Sequence, residues 1–367
     1  MIGVKFFQIL IIFIGIIIVI LAGSGFYFYG LAINRSKKEF LKGDPDLVDG
    51  NRNNPWATDR DWLESQNLKK ITISSNDGLT LSAHYLAAPL PTPVTAILVH
   101  GYTGKGKDMA AIARYYYETH GFNVLLPDCR GHGESEGNYI GFGWHDRLDI
   151  LRWINYIIEY SNKNIENSAD KVAGIINKGK TTHKGNVIYK ENTISKADAI
   201  NDTIYDGNEP YKPESEVKII LHGVSMGGAT VLMTSGEKLP SNVKLIVSDC
   251  AYTSVKDILS YQMRRMYKLP PFPLIQITSL ICKLRAGYSF GEASALSQVQ
   301  KSKVPILFIH GSEDKFVPTE MGYKLYEAAN CEKHLLIVEN ASHGNAYWTD
   351  MESYKKQVEK FLERFVL

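Results

Sequence analysis

Ser225, Asp314 and His343 are the side chains of this sequence best suited to act together, and each follows an apolar run. Ser225 stands in "HGVSMGG" after Ile219–Leu221, Asp314 in "HGSEDKFVP" after "VPILFI", and His343 in "NASHG" after "KHLLIVE". A serine hydroxyl is a poor nucleophile near neutral pH until a base takes its proton, and histidine titrates in the range that work requires. A carboxylate beside that histidine would fix its tautomer and stabilise its cation. Asp314 suits this role better than Glu313, because it fills the aspartate position of G-x-x-D-x-x-V-P, ending at Pro318.

Taken singly, these signals are weak. G-x-S-x-G arises by chance in roughly one in ten chains of this length at average Gly and Ser usage. A lone aspartate after a strand is usually a helix cap, and a lone histidine is usually a surface or satisfied core residue. The order carries the signal: Ser, then Asp, then His, each after its own strand.

Those strands must deliver the three groups to one place. Gly223-Val224-Ser225-Met226-Gly227 reads as a sharp turn from a strand into a helix beginning at Met226, with the serine at positive φ. The Met226 N–H would then face developing negative charge, paired with the Tyr102 N–H after "LVHG" as an oxyanion hole. Upstream, "KKITISSNDGLTLSAHYL" (69–86) alternates about Asn76-Asp77-Gly78 and predicts a β-hairpin. Strands follow at 95–101, 122–128, 243–249, 304–311 and 333–339, alternating with helices at 109–121, 145–160, 319–330 and 354–366. That alternation predicts an α/β fold with one mostly parallel, doubly wound sheet, which carries ligand sites at the carboxyl ends of its strands.

Two stretches interrupt the rhythm. Residues 161–216 are rich in Asn, Lys, Asp and Thr, lack an apolar period, and read as a mobile surface insertion peripheral to catalysis. Residues 254–300 are apolar and aromatic and read as a helical cap over the strand ends. There Tyr261, Met266 and Tyr267 are the expected substrate-binding residues, with Met263, Phe272, Leu274 and Ile275 adding apolar surface suited to an acyl group.

The N-terminus carries "FFQILIIFIGIIIVILA" (6–22), long enough to cross a bilayer, followed by Phe26 to Tyr29 as an interfacial aromatic belt. It reads as an uncleaved anchor over 1–34, although "LAGSG" offers weak cleavage options. A polar tether over 35–67, with a short helix near Trp62, would lead to the catalytic domain at 68–367. Lys5 precedes the span while Arg35, Lys37, Lys38 and Lys42 follow it, which leans toward a cytoplasmic catalytic domain and leaves the side open.

Composition narrows the function classes. The 367 residues carry a net charge of +2 with charges scattered, so no basic face for nucleic acid is expected. There is no Walker A loop, and the four cysteines are too widely spaced for a zinc site or a disulfide framework. Cys129 and Cys250, just after strands, read as buried free thiols.

Together, "LVHGYTG", "PDCRGHGESEG", "WHDRLDILRWI", "HGVSMGGATVL", "DCAYTSV", "HGSEDKFVP" and "ASHG" resemble a bacterial serine α/β-hydrolase with an N-terminal anchor. The group is similar both to esterases and to prolyl-oligopeptidase-type peptidase domains, and the likeness spans residues 68–367 apart from the insertion. It implies the α/β-hydrolase fold, the triad Ser225, Asp314 and His343, oxyanion amides at Tyr102 and Met226, and neither metal nor organic cofactor. It also implies that Asp128 and Arg130 are structural ion-pair and loop-setting residues. The expected function is hydrolysis of carboxylic esters, lipid-like ones included, with short-to-medium acyl groups favoured over acetate and peptides. A peptidase, an acyltransferase and a non-catalytic binding protein on the same fold are the alternatives.

Overall fold

The computed structural model describes residues 2–47, 55–179 and 216–367. Eight strands form one sheet: β1 (Lys69–Ser74), β2 (Thr80–Leu86), β3 (Val94–Val99), β4 (Asn123–Pro127), β5 (Lys218–Val224), β6 (Val243–Asp249), β7 (Ile306–Gly311) and β8 (Lys333–Val338). Their order is β1-β2-β4-β3-β5-β6-β7-β8. The hairpin pairs antiparallel in the register Lys69↔Tyr85 to Ser74↔Thr80, β2 pairs antiparallel with β4, and every later pairing is parallel. Every residue of β3 and β7 is buried, as a sheet covered on both faces requires.

The helices are α1 (Ile2–Ala32), α2 (Pro55–Glu64), α3 (Ala110–Arg114), α4 (Asp146–Gly179), α5 (Met226–Ser235), α6 (Val255–Tyr267), α7 (Leu274–Ala286), α8 (Ala295–Val299), α9 (Thr319–Ala328), α10 (Ala346–Thr349) and α11 (Met351–Phe365). Two expected boundaries change. The run after β3 is wound as a 3-10 turn (Gly106–Met109), α3 and a π turn (Tyr115–Thr119) rather than as one helix. The helix expected to end at Tyr160 continues as α4 to Gly179, so the expected insertion begins inside a helix; residues 180–215 lie outside the described residues.

Helices α6, α7 and α8 form the cap between β6 and β7. Helix α6 starts where the Ser254 hydroxyl accepts the Asp257 N–H at 3.0 Å, and ends where Lys268 turns left-handed at φ +56°.

The segment after α1 is docked on the domain over residues 33–46, not loosely tethered. Ile33 is fully buried and accepts the Ile140 N–H at 2.7 Å. The Arg35 guanidinium donates to the Gly133 and Ser135 carbonyls at 2.7 and 2.8 Å. The Lys38 ammonium donates to the Leu31 and Asn34 carbonyls at 2.8 and 2.6 Å. Farther on, Arg265 of α6 pairs with Asp44 and Asp46. A helix exposes unsatisfied carbonyls at its C-terminus, and basic side chains satisfy them. Lys38 thus satisfies carbonyls at the end of α1, whereas Arg35 clamps the loop that follows β4.

Candidate active site

The turn at Ser225 is a property of its neighbours. A Cβ on Gly223 would stand 2.1 Å from the Gly227 carbonyl oxygen, and one on Gly227 would stand 1.9 Å from that of Val99. Only glycine lets α5 pass β5 and β3 this closely. Ser225 takes φ +57° and ψ −117°, and its N–H donates to the Asp249 carbonyl at 2.8 Å. A non-glycine residue held at positive φ stores strain, which here leaves the hydroxyl projecting beyond the sheet.

The structure brings the three chemistry-bearing side chains together. Ser225 Oγ lies 2.8 Å from His343 Nε2, and His343 Nδ1 lies 2.7 Å from Asp314 Oδ2. Asp314 Oδ1 accepts the Phe316 and Val317 N–H groups at 3.0 and 2.8 Å, which locks the carboxylate plane. Burial opposes charge on Asp314, but the attraction of His343 and hydrogen bonds from His310 and His343 outweigh it. The carboxyl is held well below its usual range. Glu313 is exposed and faces Lys315 at 3.8 Å, outside the cluster.

His310 was not anticipated. Its Nε2 donates to the Val317 carbonyl at 2.9 Å and stands 3.3 Å from Asp314 Oδ2, so it backs the carboxylate from within the protein. A His-Gly pair stands at or next to the carboxyl end of three strands, at 100–101, 222–223 and 310–311, and all three histidines are buried. Sequence does not distinguish which of them meets a carboxylate. Beneath the site, Tyr354 donates to Asp249 Oδ2 at 3.1 Å, and its oxygen is 2.9 Å from His222 Nε2. Burial pushes the Asp249 carboxyl up to about 6.

Met226 opens α5, so its N–H has no partner within the helix. Gly101 brings the end of β3 against the serine: a Cβ there would stand 3.3 Å from Ser225 Cβ and 3.8 Å from Oγ. Tyr102 follows directly, and its hydroxyl donates to the Ala32 carbonyl at the end of α1 at 2.7 Å.

Ser225 sits between two recesses. One is a narrow, partly open recess with a cavity volume of about 90 Å³. It is lined by cap residues including Met263, Met266, Tyr267 and Ile275, and no charged side chain lines it among the described residues. Its other wall was missed: Phe28, Leu31 and Ala32 of α1, with Phe40 and Leu41 beyond. A uniformly apolar run carries no cue that its last turns serve a different purpose. The second recess is more polar; it includes His343, His100, Thr103 and the ion-paired Arg60 and Asp108.

Three expected cap residues, Tyr261, Phe272 and the half-buried Leu274, do not line the apolar recess. Tyr261 turns its hydroxyl to the Lys315 carbonyl at 2.7 Å and so braces the loop that holds Asp314. Phe272 is 72% exposed on the outer surface. Similarly, Arg130 does not pair with Asp128. Arg130 is clamped by Asp149 at 2.7 Å and Asp77 at 2.8 Å, whereas Asp128 accepts the Gly106 and Glu134 N–H groups, each at 2.7 Å.

Similarity to known proteins agrees with this architecture. The fold matches the Pyrococcus furiosus esterase Pf2001 with a TM-score of 0.54 at 20% identity, covering 83% of this chain and 94% of that one. The chain has the α/β-hydrolase fold. Residues 203–366 match the model of the prolyl oligopeptidase family, which places the chain among serine hydrolases in the general sense. The Pyrococcus horikoshii acylaminoacyl peptidase aligns with a TM-score of 0.52 at 16% identity, over 83% of this chain and 43% of that one. The uncharacterized protein YqkD of Bacillus subtilis (strain 168) is 28% identical over 301 residues, 82% of this chain and 81% of that protein.

Proposed function

We propose that the protein is a membrane-anchored serine hydrolase that cleaves carboxylic esters through an acyl-enzyme. The observation that carries the reading is the 2.8 Å contact of Ser225 Oγ with His343 Nε2, the imidazole being held by Asp314 at 2.7 Å. Ser225 Oγ attacks the ester carbonyl carbon while His343 Nε2 takes its proton; Asp314 stabilises the resulting imidazolium. The Met226 and Tyr102 N–H groups donate to the negatively charged tetrahedral oxygen, each such donor being worth about 3 kcal/mol. His343 then protonates the departing alcohol, and water repeats the sequence to release the acid.

The two recesses support one orientation of the substrate. The leaving group must meet His343, which borders the polar recess, so the acyl group takes the apolar one. A charged peptide terminus there would have no partner, and unpaired buried charge is costly. That argues for esters over peptides. The bare length of α1 supports the anchor. Val4 to Gly23 rise ~30 Å at 1.5 Å per residue, the thickness of a bilayer core. Its apolar side chains from Val4 to Ile20 have no protein cover among the described residues.

The test is turnover of p-nitrophenyl esters and aminoacyl amides, with fluorophosphonate labelling, before and after Ser225→Ala. Both ester turnover and labelling should vanish in a folded variant. Labelling that persists at the wild-type rate would falsify the serine assignment, and amides cleaved faster than esters would favour the peptidase.

A further inference from the structure

Helices α1 and α7 run side by side in the same direction. The Gly25 Cα faces Ile277 and Ile281 of α7, and one turn later the Tyr29 ring lies 5.5 Å from the Arg285 guanidinium. The start of α7 therefore points toward the bare part of α1. Leu274 lies ~10 Å nearer to it than Ile281, from the helical rise. The loop that precedes α7, "LPPFP" (269–273), is carried farthest in that direction.

Large apolar side chains are exposed along this side, interspersed with the exposed Gln276, Lys283 and Arg285. Phe272 is 72% exposed and Leu269 39%; along α7, Leu280 is 59% and Leu284 77% exposed. Arg264 and Lys268, both exposed, flank the loop as cations suited to anionic headgroups. Large apolar side chains clustered beside a helix built to cross a bilayer mark an interaction surface, and the surface continuous with that helix is lipid.

The apolar recess points the same way. From Ser225 it follows α1 backward through Ala32 and Leu31 to Phe28, and follows α6 forward through Met263 to Tyr267. The Phe28 and Tyr267 rings meet edge to face at 5.4 Å at its far end. We infer that the outer face of the cap is seated in the lipid surface that α1 crosses, and that the recess receives the acyl chain of a membrane-resident ester from that side. This rests on the hydrolase reading for its chemistry, but the seating of the cap is independent of it. An acyl chain taking this route passes from hydrocarbon to an apolar cavity without entering water.

The experiment uses the full chain reconstituted in vesicles of phosphatidylcholine and phosphatidylglycerol, with Cys331→Ser to remove the one cysteine that is not fully buried. An environment-sensitive fluorophore on Phe272→Cys should be quenched by nitroxide-labelled lipid, whereas one on Leu90→Cys, before the opposite end of β3, should not. Equal quenching at the two positions would overturn the seating, whether or not the protein hydrolyses esters. The second arm compares a vesicle-borne oleoyl glycerol ester with water-soluble p-nitrophenyl butyrate in the Phe272→Asp, Leu280→Asp variant. Hydrolysis of the vesicle-borne ester should fall about tenfold or more while butyrate changes less than about twofold, since only the first depends on apolar contact with lipid. An equal change in both, or in neither, would overturn the lipid route. Absence of turnover for both esters and of fluorophosphonate labelling in the unmutated chain would instead refute the hydrolase reading and leave the quenching result standing.

Discussion

Val4 to Gly23 and Gly25 to Ala32 belong to one unbroken helix of similar composition, yet their surroundings are opposite. The first stretch is almost bare. The second is packed on α7, hydrogen-bonded through the Ala32 carbonyl to Tyr102, and forms a wall of the recess that ends at Ser225. Apolar character alone therefore does not divide the bare part of α1 from the part that borders the recess beside Ser225. The division falls where α7 and the cap begin to cover the helix, near Ser24. In this arrangement the sheet supplies the reacting groups and the helices shape what reaches them.

If that division of labour holds, the largest loss should come from the sheet and be blind to acyl length. Asp314→Asn should lower kcat by about 10⁴, as when a triad imidazole loses its orienting carboxylate. Butyrate and octanoate esters should suffer alike, and Glu313→Gln should leave both near wild type. A loss confined to one chain length would blur the two roles.

Two truncations cut the helix on either side of the division. Removing residues 1–22 should leave turnover of soluble octanoate within about twofold, because the lost segment touches little of the domain. Removing residues 1–33 takes away Phe28, Leu31 and Ile33 as well. At ~2 kcal/mol for each large apolar side chain, kcat/KM for octanoate should fall by two orders of magnitude or more. Equal activity of the two truncated proteins would erase the comparison.

Within the recess, Met266→Ala enlarges the wall opposite α1. It should shift the preferred acyl chain to longer esters and weaken the best wild-type ester about tenfold, since each unburied methylene is worth ~0.8 kcal/mol. An unchanged profile across a p-nitrophenyl ester series would remove Met266 from the acyl site.

The smallest effect should come from Tyr102→Phe, which deletes only the hydroxyl bonded to the Ala32 carbonyl. Losing one such bond costs ~1 kcal/mol, read as a lower thermal midpoint and a few-fold loss in kcat/KM. A null effect on both would mean that the end of α1 is held without Tyr102.

Much of the fold was legible because its signals are local. Strand boundaries at Val243 and Asp249, the hairpin at Asn76-Asp77-Gly78 and the turn at Ser225 each follow from runs, breakers and glycines within a few residues. The three chemistry-bearing residues were legible for the same reason: strand ends in a doubly wound sheet converge on one edge, so chain order implies proximity. The length of α4 was not legible, because weak helical periodicity past Tyr160 was outweighed by polar composition.

What tertiary structure alone decided is which nonlocal surfaces meet. Sequence determined that residues 6–22 are apolar enough to seek a bilayer; it did not determine that the same helix would end inside the apolar recess beside Ser225. It marked Tyr261 and Phe272 as aromatic members of the cap, but the packing of α6 and α7 turns the first toward Lys315 and leaves the second outside. Likewise, the partners of Arg130 are Asp77 and Asp149, while Asp128 close beside it binds backbone amides. The physical reason is common to all three. Hydrophobicity specifies that a side chain leaves water, without direction, whereas the neighbour it meets depends on how whole elements cross.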